Sequence, residues 1–367
     1  MRICYIAEAG SIHTQKWLKY FADRGHELHL ISRKPVEAID IKGLNSYWLT
    51  NLRYPVLLRY LYDTLRVRRL IKTIKPDVLH AHYAVGYGLL GALSGFRPFI
   101  LSVWGSDILV APKQSKIYRG TVKLAIKRAD VIHCDADHII APLIKLGAEL
   151  EKIKLIYFGV DTQKFKPAQR NKKIQEELGI VGSPTVISLR SLEPIYDIET
   201  LVNSIPLVLK EIPEAKFLVV GGGSQETRLK EQAKSLGIFQ SVKFTGWIPN
   251  DELPEYLDSV DIYVSTSLSD AGLASSTAEA MACGLPVIIT DFGDNRKWVE
   301  DGANGFLIPL KNPQVLASKI IQLIRNKEIR DKFGQINRQI IEERNDWQKE
   351  MGKIEELYES LMIRSRK

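Results

Sequence analysis

A chain of 367 residues, 45% apolar and 26% charged, is too long for one ordinary core and suits two domains of about 150–200 residues; this composition excludes a disordered chain. No run approaches the roughly 18 continuous apolar residues of a membrane span. The net charge of +8 is uneven, +11 over residues 1–165 and −3 over the rest, and with no nucleic-acid motif beside it the basic half is not read as a nucleic-acid binder.

The first ten residues, MRICYIAEAG, reach Glu8 too soon to hold a signal-peptide core and read as a first strand. The helical HTQKWLKYFADRG follows, stopped by Gly25, and then the strand HELHLIS. Much of the basic excess sits in Leu52 to Lys75 and Lys113 to Arg128, where Lys and Arg interleave with Tyr and Leu at helical spacing. Such helices suit an anionic membrane surface, or equally a solvated face. PDVLHAH, FILSVWG, DVIHCDA and KIKLIYFG are further strands, and their alternation with helices argues a parallel sheet. Phe165 to Gly182, charged and Pro/Gly-punctuated, reads as a linker. The pattern then restarts with TVISLR, a helix from about Asp197 to Lys210, AKFLVVGGG, a helix from Ser224, SVKFTG, DIYVSTS, the helix SSTAEAMACG, LPVIIT and GFLIPL. The expected domains are 1–165 and 166–345, with a C-terminal helix over 346–367 packing back toward the first. Two such units imply a cleft, with ligands at the carboxyl ends of the strands. Cys4, Cys134 and Cys283, odd in number and set in apolar runs, read as reduced, buried thiols of a cytoplasmic protein.

The chemistry concentrates in Ser265 to Pro286, STSLSDAGLASSTAEAMACGLP. A strand runs into a loop holding Gly272 and then into a helix, offering backbone N–H groups and a helix dipole to an anion. Ser275, Ser276 and Thr277 are good N-cap residues. Glu279 could accept the two hydroxyls of a ribose, or lie on the surface of a capped helix. Asp135 and Asp137 form a D-x-D at a helix start, where Asp caps, and are not read as metal ligands. Cys and His show no zinc spacing, and no G-x-G-x-x-G follows the first strand.

The stretch TAEAMACGLPVIITDFGDNRKWVEDGANGFLIP resembles the donor-site signature of retaining glycosyltransferases of family 4, the glycosyl transferases group 1. SLR ending at Arg190, VVGGGS, FTGWIP, GSIHTQKW, KPDVLHAHYAVG, WGSDI and RADVIHCD extend the likeness over nearly the whole chain. The resemblance implies an α/β protein of two Rossmann-like domains facing across a cleft, the fold called GT-B. It implies transfer of a sugar, with retention, from a nucleotide diphosphate sugar to a hydroxyl acceptor, with neither cofactor nor metal; the basic first half tilts the acceptor toward a lipid-linked or polysaccharide one. A nucleotide-sugar epimerase and a non-catalytic nucleotide-sugar-binding subunit are the alternatives.

Residue by residue, the resemblance gives Arg190 the donor diphosphate and lets backbone approach the donor at Gly222 and Gly223. Trp247 and Ile248 would hold the nucleobase, Gly272, Leu273, Ala274 and Ser275 the phosphates, and Glu279 the ribose. Plainer readings make Arg190 a surface ion pair, the glycines a turn and Trp247 core. Gly10 and Ser11 end the first strand at a loop expected to face the donor phosphates. In the acceptor half His13 is a candidate, as is Asp107, which either positions a hydroxyl or caps the following turn. His80 and His82 are expected to point to opposite faces of their strand, and Trp104 stands where many relatives carry His. Two positions depart from the family. Its first Glu falls on Ala271, with Asp270 the nearest acid to touch the sugar. Its Lys is replaced by Ile195, Tyr196 and Asp197, leaving charge neutralisation to Arg190, the helix dipole or another base such as Lys297.

Overall fold

The computed structural model describes residues 1–34, 41–49, 55–270 and 272–365, and divides into two compact units. The first comprises Met1–Tyr157 with Met351–Lys367; the second is Phe158–Glu350. The chain therefore changes unit at 157/158 and 350/351 rather than at 165/166 and 345/346. Phe165 to Gly182 is no linker. It holds the helix Lys172–Leu178, capped by the Asn171 side chain and closed by Gly179 at φ 69°, and Arg170 is paired with Asp261.

The first unit carries seven parallel strands: β1 (Arg2–Ile6), β2 (Glu27–Ser32), β3 (Leu44–Trp48), β4 (Val78–His82), β5 (Phe99–Ser102), β6 (Val131–Cys134) and β7 (Ile153–Leu155). Their order is β3-β2-β1-β4-β5-β6-β7, so the direction of winding reverses between β1 and β4. The inner strands are apolar runs buried on both faces, as a helix-covered parallel sheet requires. Sequence reading missed β3, an edge strand whose LNSYW is partly exposed and has no apolar run.

His80 and His82 do not point apart. Residues two apart on a strand share a face, and their rings lie 4.8 Å from each other, both against Trp17. Around them runs a buried chain of hydrogen bonds. The Ile156 carbonyl can only accept, so His133 Nε2 donates to it (2.9 Å) and the neutral ring accepts at Nδ1 from the Ser102 hydroxyl (2.7 Å). Ser102 then accepts from His80 Nε2 (2.7 Å), His80 Nδ1 from the Tyr358 hydroxyl (2.5 Å), and Tyr358 from Tyr5 (3.1 Å). Tyr358 lies on the helix Trp347–Ser365, so this chain fastens that helix to β1, β4, β5 and β6.

The second unit has six parallel strands: β8 (Thr185–Leu189), β9 (Lys216–Val220), β10 (Val242–Gly246), β11 (Ile262–Ser265), β12 (Val287–Thr290) and β13 (Gly305–Ile308). Their order is β10-β9-β8-β11-β12-β13, with the reversal between β8 and β11. Leu201, Val202 and Ile205 of the helix Ile198–Glu211 meet Phe217 and Val219 of β9 and Ile320 and Leu323 of Pro313–Arg325 in one core. Each such side chain contributes about 1.5–3 kcal/mol by leaving water. Among the described residues no helix is long and apolar enough to cross a membrane. All three cysteines are free thiols and buried.

Candidate functional site

In open parallel sheets ligands collect beyond the carboxyl ends of the strands where the winding reverses. In the second unit that place is the loop after β8, which begins with Arg190, beside the loop after β11, which ends in the helix Ser275–Ala282. The two loops are stitched together: Leu268 N donates to Ile195 O (2.9 Å), and the Thr266 hydroxyl donates to the carbonyls of Tyr196 (3.1 Å) and Asp197 (2.8 Å). Arg190, its side chain 9% exposed, reaches Ser267 and Ser276 Oγ at 3.5 Å and lies over the Tyr196 ring at 4.2 Å. Ala271 lies outside the described residues; Asp270 is paired with Arg190. Tyr196, one of the residues replacing the family's Lys, thus supports Arg190 by a cation–π contact. Arg190 is in an ion pair, but a buried one at the strand end rather than one on the surface.

The helix beyond is not capped as expected. Ala274 occupies the N-cap position, no side chain closes it, and Ser275 is the first helical residue. Ser276 and Thr277 turn instead to the buried Tyr263 hydroxyl, at 2.9 and 3.2 Å. The first-turn N–H groups therefore have no side-chain cap, next to Gly272, Leu273 and Ala274, all half-buried. Glu279 is not a surface residue: it is 6% exposed and accepts from Asn250 Nδ2 at 3.2 Å. Asn250 in turn accepts from Lys164 Nζ at 2.6 Å. Sequence reading missed Asn250 and Lys164, though Asn250 follows FTGWIP directly.

Trp247 is 76% exposed and so is not core, whereas Ile248 beside it is buried. The glycines after β9 have their own reasons. A Cβ on Gly223 would stand 2.5 Å from Leu192 O, and one on Gly221, at φ 134°, would strike Arg190 O; Gly222 meets nothing closer than 3.9 Å. The loop is pinned by Glu193, which accepts from Ser224 N (2.8 Å) and Oγ (2.5 Å). Lys297 lines another cavity, of about 570 Å³, bordered by neither Arg190 nor Asp270.

The first unit also holds a cavity at its own reversal, about 520 Å³, lined by residues at the β1, β2 and β4 ends including Ser11, Arg33, His82 and Tyr87, by Tyr60 of the helix Val56–Ile74 and by Trp104. Gly10 is exposed in the loop after β1, and Ser11 begins the helix Ile12–Asp23 without a side-chain cap bond. His13 packs edge-on to Trp104, with centroids 4.8 Å apart; burial first and Lys16 second lower its pKa to about 4. Asp107 is fully buried and spends its carboxylate on backbone: Trp104 N at 3.0 Å and Ala84 N at 2.7 Å. It is a loop clamp rather than a group presented to an acceptor hydroxyl, and burial raises its pKa to about 6. Among the described residues no cluster of three His, Cys, Asp or Glu is arranged to hold a metal.

Two family models match in tandem: Glycosyl transferase 4-like over residues 2–136 and Glycosyl transferases group 1 over residues 170–340. The chain is a group 1 glycosyltransferase. This glycosyltransferase is similar to the N-acetyl-alpha-D-glucosaminyl L-malate synthase of Bacillus anthracis, 24% identical over 97% of this chain and 95% of the relative. It is also similar to the GDP-mannose-dependent alpha-(1-6)-phosphatidylinositol monomannoside mannosyltransferase of Mycolicibacterium smegmatis, 26% identical over 80% of this chain and 81% of the relative. Among solved structures, HepE of Anabaena in complex with UDP superposes with a TM-score of 0.84 at 22% identity, over 98% of this chain and 100% of that one. The two-sheet α/β fold of this glycosyltransferase is that of the GT-B enzymes.

Proposed function

We propose that the chain transfers a glycosyl group from a nucleoside diphosphate sugar to a hydroxyl acceptor with retention of anomeric configuration. The observation that carries the proposal is the uncapped helix start at Ser275 beside Arg190, at the strand-order reversal of the second unit. Backbone N–H groups, the helix dipole and a buried guanidinium suit a leaving diphosphate. Glu279 is assigned to the ribose hydroxyls, and Trp247 and Ile248 to the base. The UDP held by HepE and the GDP-mannose of the mycobacterial relative support a nucleotide-sugar donor. In the reaction the acceptor oxygen bonds to the anomeric carbon on the face the diphosphate leaves. The carbon–phosphate oxygen bond breaks with its electron pair, and the acceptor proton passes to the departing phosphate oxygen. Protein groups, rather than a metal, are assigned the leaving charge.

The acceptor is assigned to the first unit's cavity, and an anionic membrane surface to the helix Val56–Ile74. Leu58, Leu61, Tyr62 and Leu65 are all exposed there, at i, i+3, i+4 and i+7, among Arg59, Arg66, Arg68 and Arg69. Residues 52–54 of the basic stretch lie outside the described residues.

A thermal-shift series with UDP-, GDP- and ADP-sugars tests the donor assignment. One nucleotide raises the melting temperature of the native chain by mass action, and Arg190→Ala largely abolishes that rise. An undiminished response in the variant would refute the placement.

A further inference from the structure

Three hydroxyls meet at the first turn of the helix Ser275–Ala282, and their hydrogen bonds run in one direction. The Tyr263 side chain, on β11, is fully buried. Thr277 Oγ1 donates to the phenolic oxygen at 3.2 Å, and Ser276 Oγ lies 2.9 Å from the same oxygen. Burial, opposed by Arg190 and the two hydroxyls, raises the Tyr263 pKa above the usual 10, so the phenol keeps its one proton. A buried O–H needs an acceptor, and because Thr277 is donating, that acceptor is Ser276 Oγ.

Ser276 has a second donor beside it. Arg190 Nη1 stands 3.5 Å from Oγ and can only give a hydrogen. A hydroxyl oxygen carries two lone pairs and one proton. With Tyr263 and Arg190 on the lone-pair side, the Ser276 proton points away from both. Thr277 and Tyr263 are buried, whereas Ser276 is half-buried, so it alone of the three has surface that a ligand can reach. It sits in the turn whose N–H groups have no side-chain cap.

We propose that Ser276 Oγ donates a hydrogen bond to the diphosphate of the nucleotide sugar, and that Tyr263 is the positioning residue that aims it. This rests on the transferase reading above and adds one binding residue and the device behind it. Thr277 donates to Tyr263 and Tyr263 to Ser276, so the row is polarised toward the ligand. A hydroxyl donor, open first-turn N–H groups and a guanidinium together suit an anion. Without the phenol, Ser276 would turn its proton to a backbone carbonyl, the common resort of a serine inside a helix.

The test is calorimetric titration of the full chain with UDP, GDP and ADP. The nucleotide that the native chain binds most tightly is then carried through the variants, each first shown to be folded by its melting curve. Ser276→Ala binds it about tenfold more weakly, the usual worth of a hydrogen bond to a charged group. Ser276→Thr keeps the hydroxyl and stays within about threefold of native. Tyr263→Phe keeps the ring and weakens binding about threefold, but in the Ser276→Ala background it costs less than about twofold more, because it acts only through Ser276. Alanine is favoured in a helix, so Ser276→Ala tests the contact even if Tyr263→Phe does not fold. Native affinity in Ser276→Ala overturns the contact. A Tyr263→Phe loss that persists in full on top of Ser276→Ala overturns the positioning. If none of the three nucleotides binds the native chain, the donor assignment falls instead.

Discussion

Arg190 and Asp270 compete for one another and for whatever enters the site. A carboxylate already on the guanidinium occupies donors that a diphosphate would otherwise take. Asp270→Asn keeps an amide oxygen for Arg190 but removes the competing charge. UDP should then bind about tenfold tighter by calorimetry, since a charge-assisted bond is worth roughly twice a neutral one. If Asp270 instead contacts the donor's sugar, the variant will weaken UDP-glucose relative to UDP. The two outcomes are distinguished by titrating both ligands. The identity of Arg190 was legible in the sequence because it ends the strand TVISLR, but its partner was not. Asp270 lies eighty residues away in a loop, where chain spacing says nothing of contact. Asp107 was legible as a candidate for two roles, and only the backbone N–H groups of Trp104 and Ala84 decide between them.

Elements impose their own requirements. Gly223→Ala drives a methyl group into the Leu192 backbone. Both chains there are main chain and cannot yield as a side chain can, so the expected destabilisation is about 1–3 kcal/mol, read by urea unfolding. A midpoint unchanged from native would show that the loop can shift. The helix Val56–Ile74 makes the opposite kind of claim. Leu61→Glu with Leu65→Glu alters only exposed positions, so melting should be unaffected. Co-sedimentation with phosphatidylglycerol vesicles should drop about tenfold, and equal binding to phosphatidylcholine vesicles would remove the electrostatic part of the assignment. Strong apolar runs made twelve strands readable. β3 was not, because an edge strand needs only one well-buried neighbour and LNSYW carries no periodic signal. The helix after Gly272 was readable, but its cap was not, because Ser276 and Thr277 find a better partner in Tyr263.

At the scale of the whole molecule, the buried imidazoles set the response to acid. His82 and His133 are lowered by burial to about 3 and about 4 from the usual 6.5, and His80 lies well below it. Between about 6.5 and 4 the unfolded chain binds more protons than the folded one, so stability present above pH 6.5 is lost as pH falls. At pH 5 His82 and His133 each cost about 2 kcal/mol. Asp107, raised to about 6 from 3.8, acts the other way: its contribution is present below about pH 4 and lost as pH rises to 6. At pH 5 it returns about 1 kcal/mol, so the histidines prevail. The melting temperature should fall from pH 7.5 to pH 5, and a flat or rising profile would contradict neutral buried rings.

The bond between Tyr5 and Tyr358 joins residues 353 positions apart. At a ribosomal pace of about 5–20 residues per second, β1 emerges roughly 18–70 s before its phenolic partner is made. Through that interval the imidazole and hydroxyl of β4 and β5 lack the donor that completes their row. β1 is thus obliged to wait for a partner translated 353 residues later. A nascent chain stalled with Tyr358 still inside the ribosome should expose this region to protease, whereas one stalled with Tyr358 outside it should not.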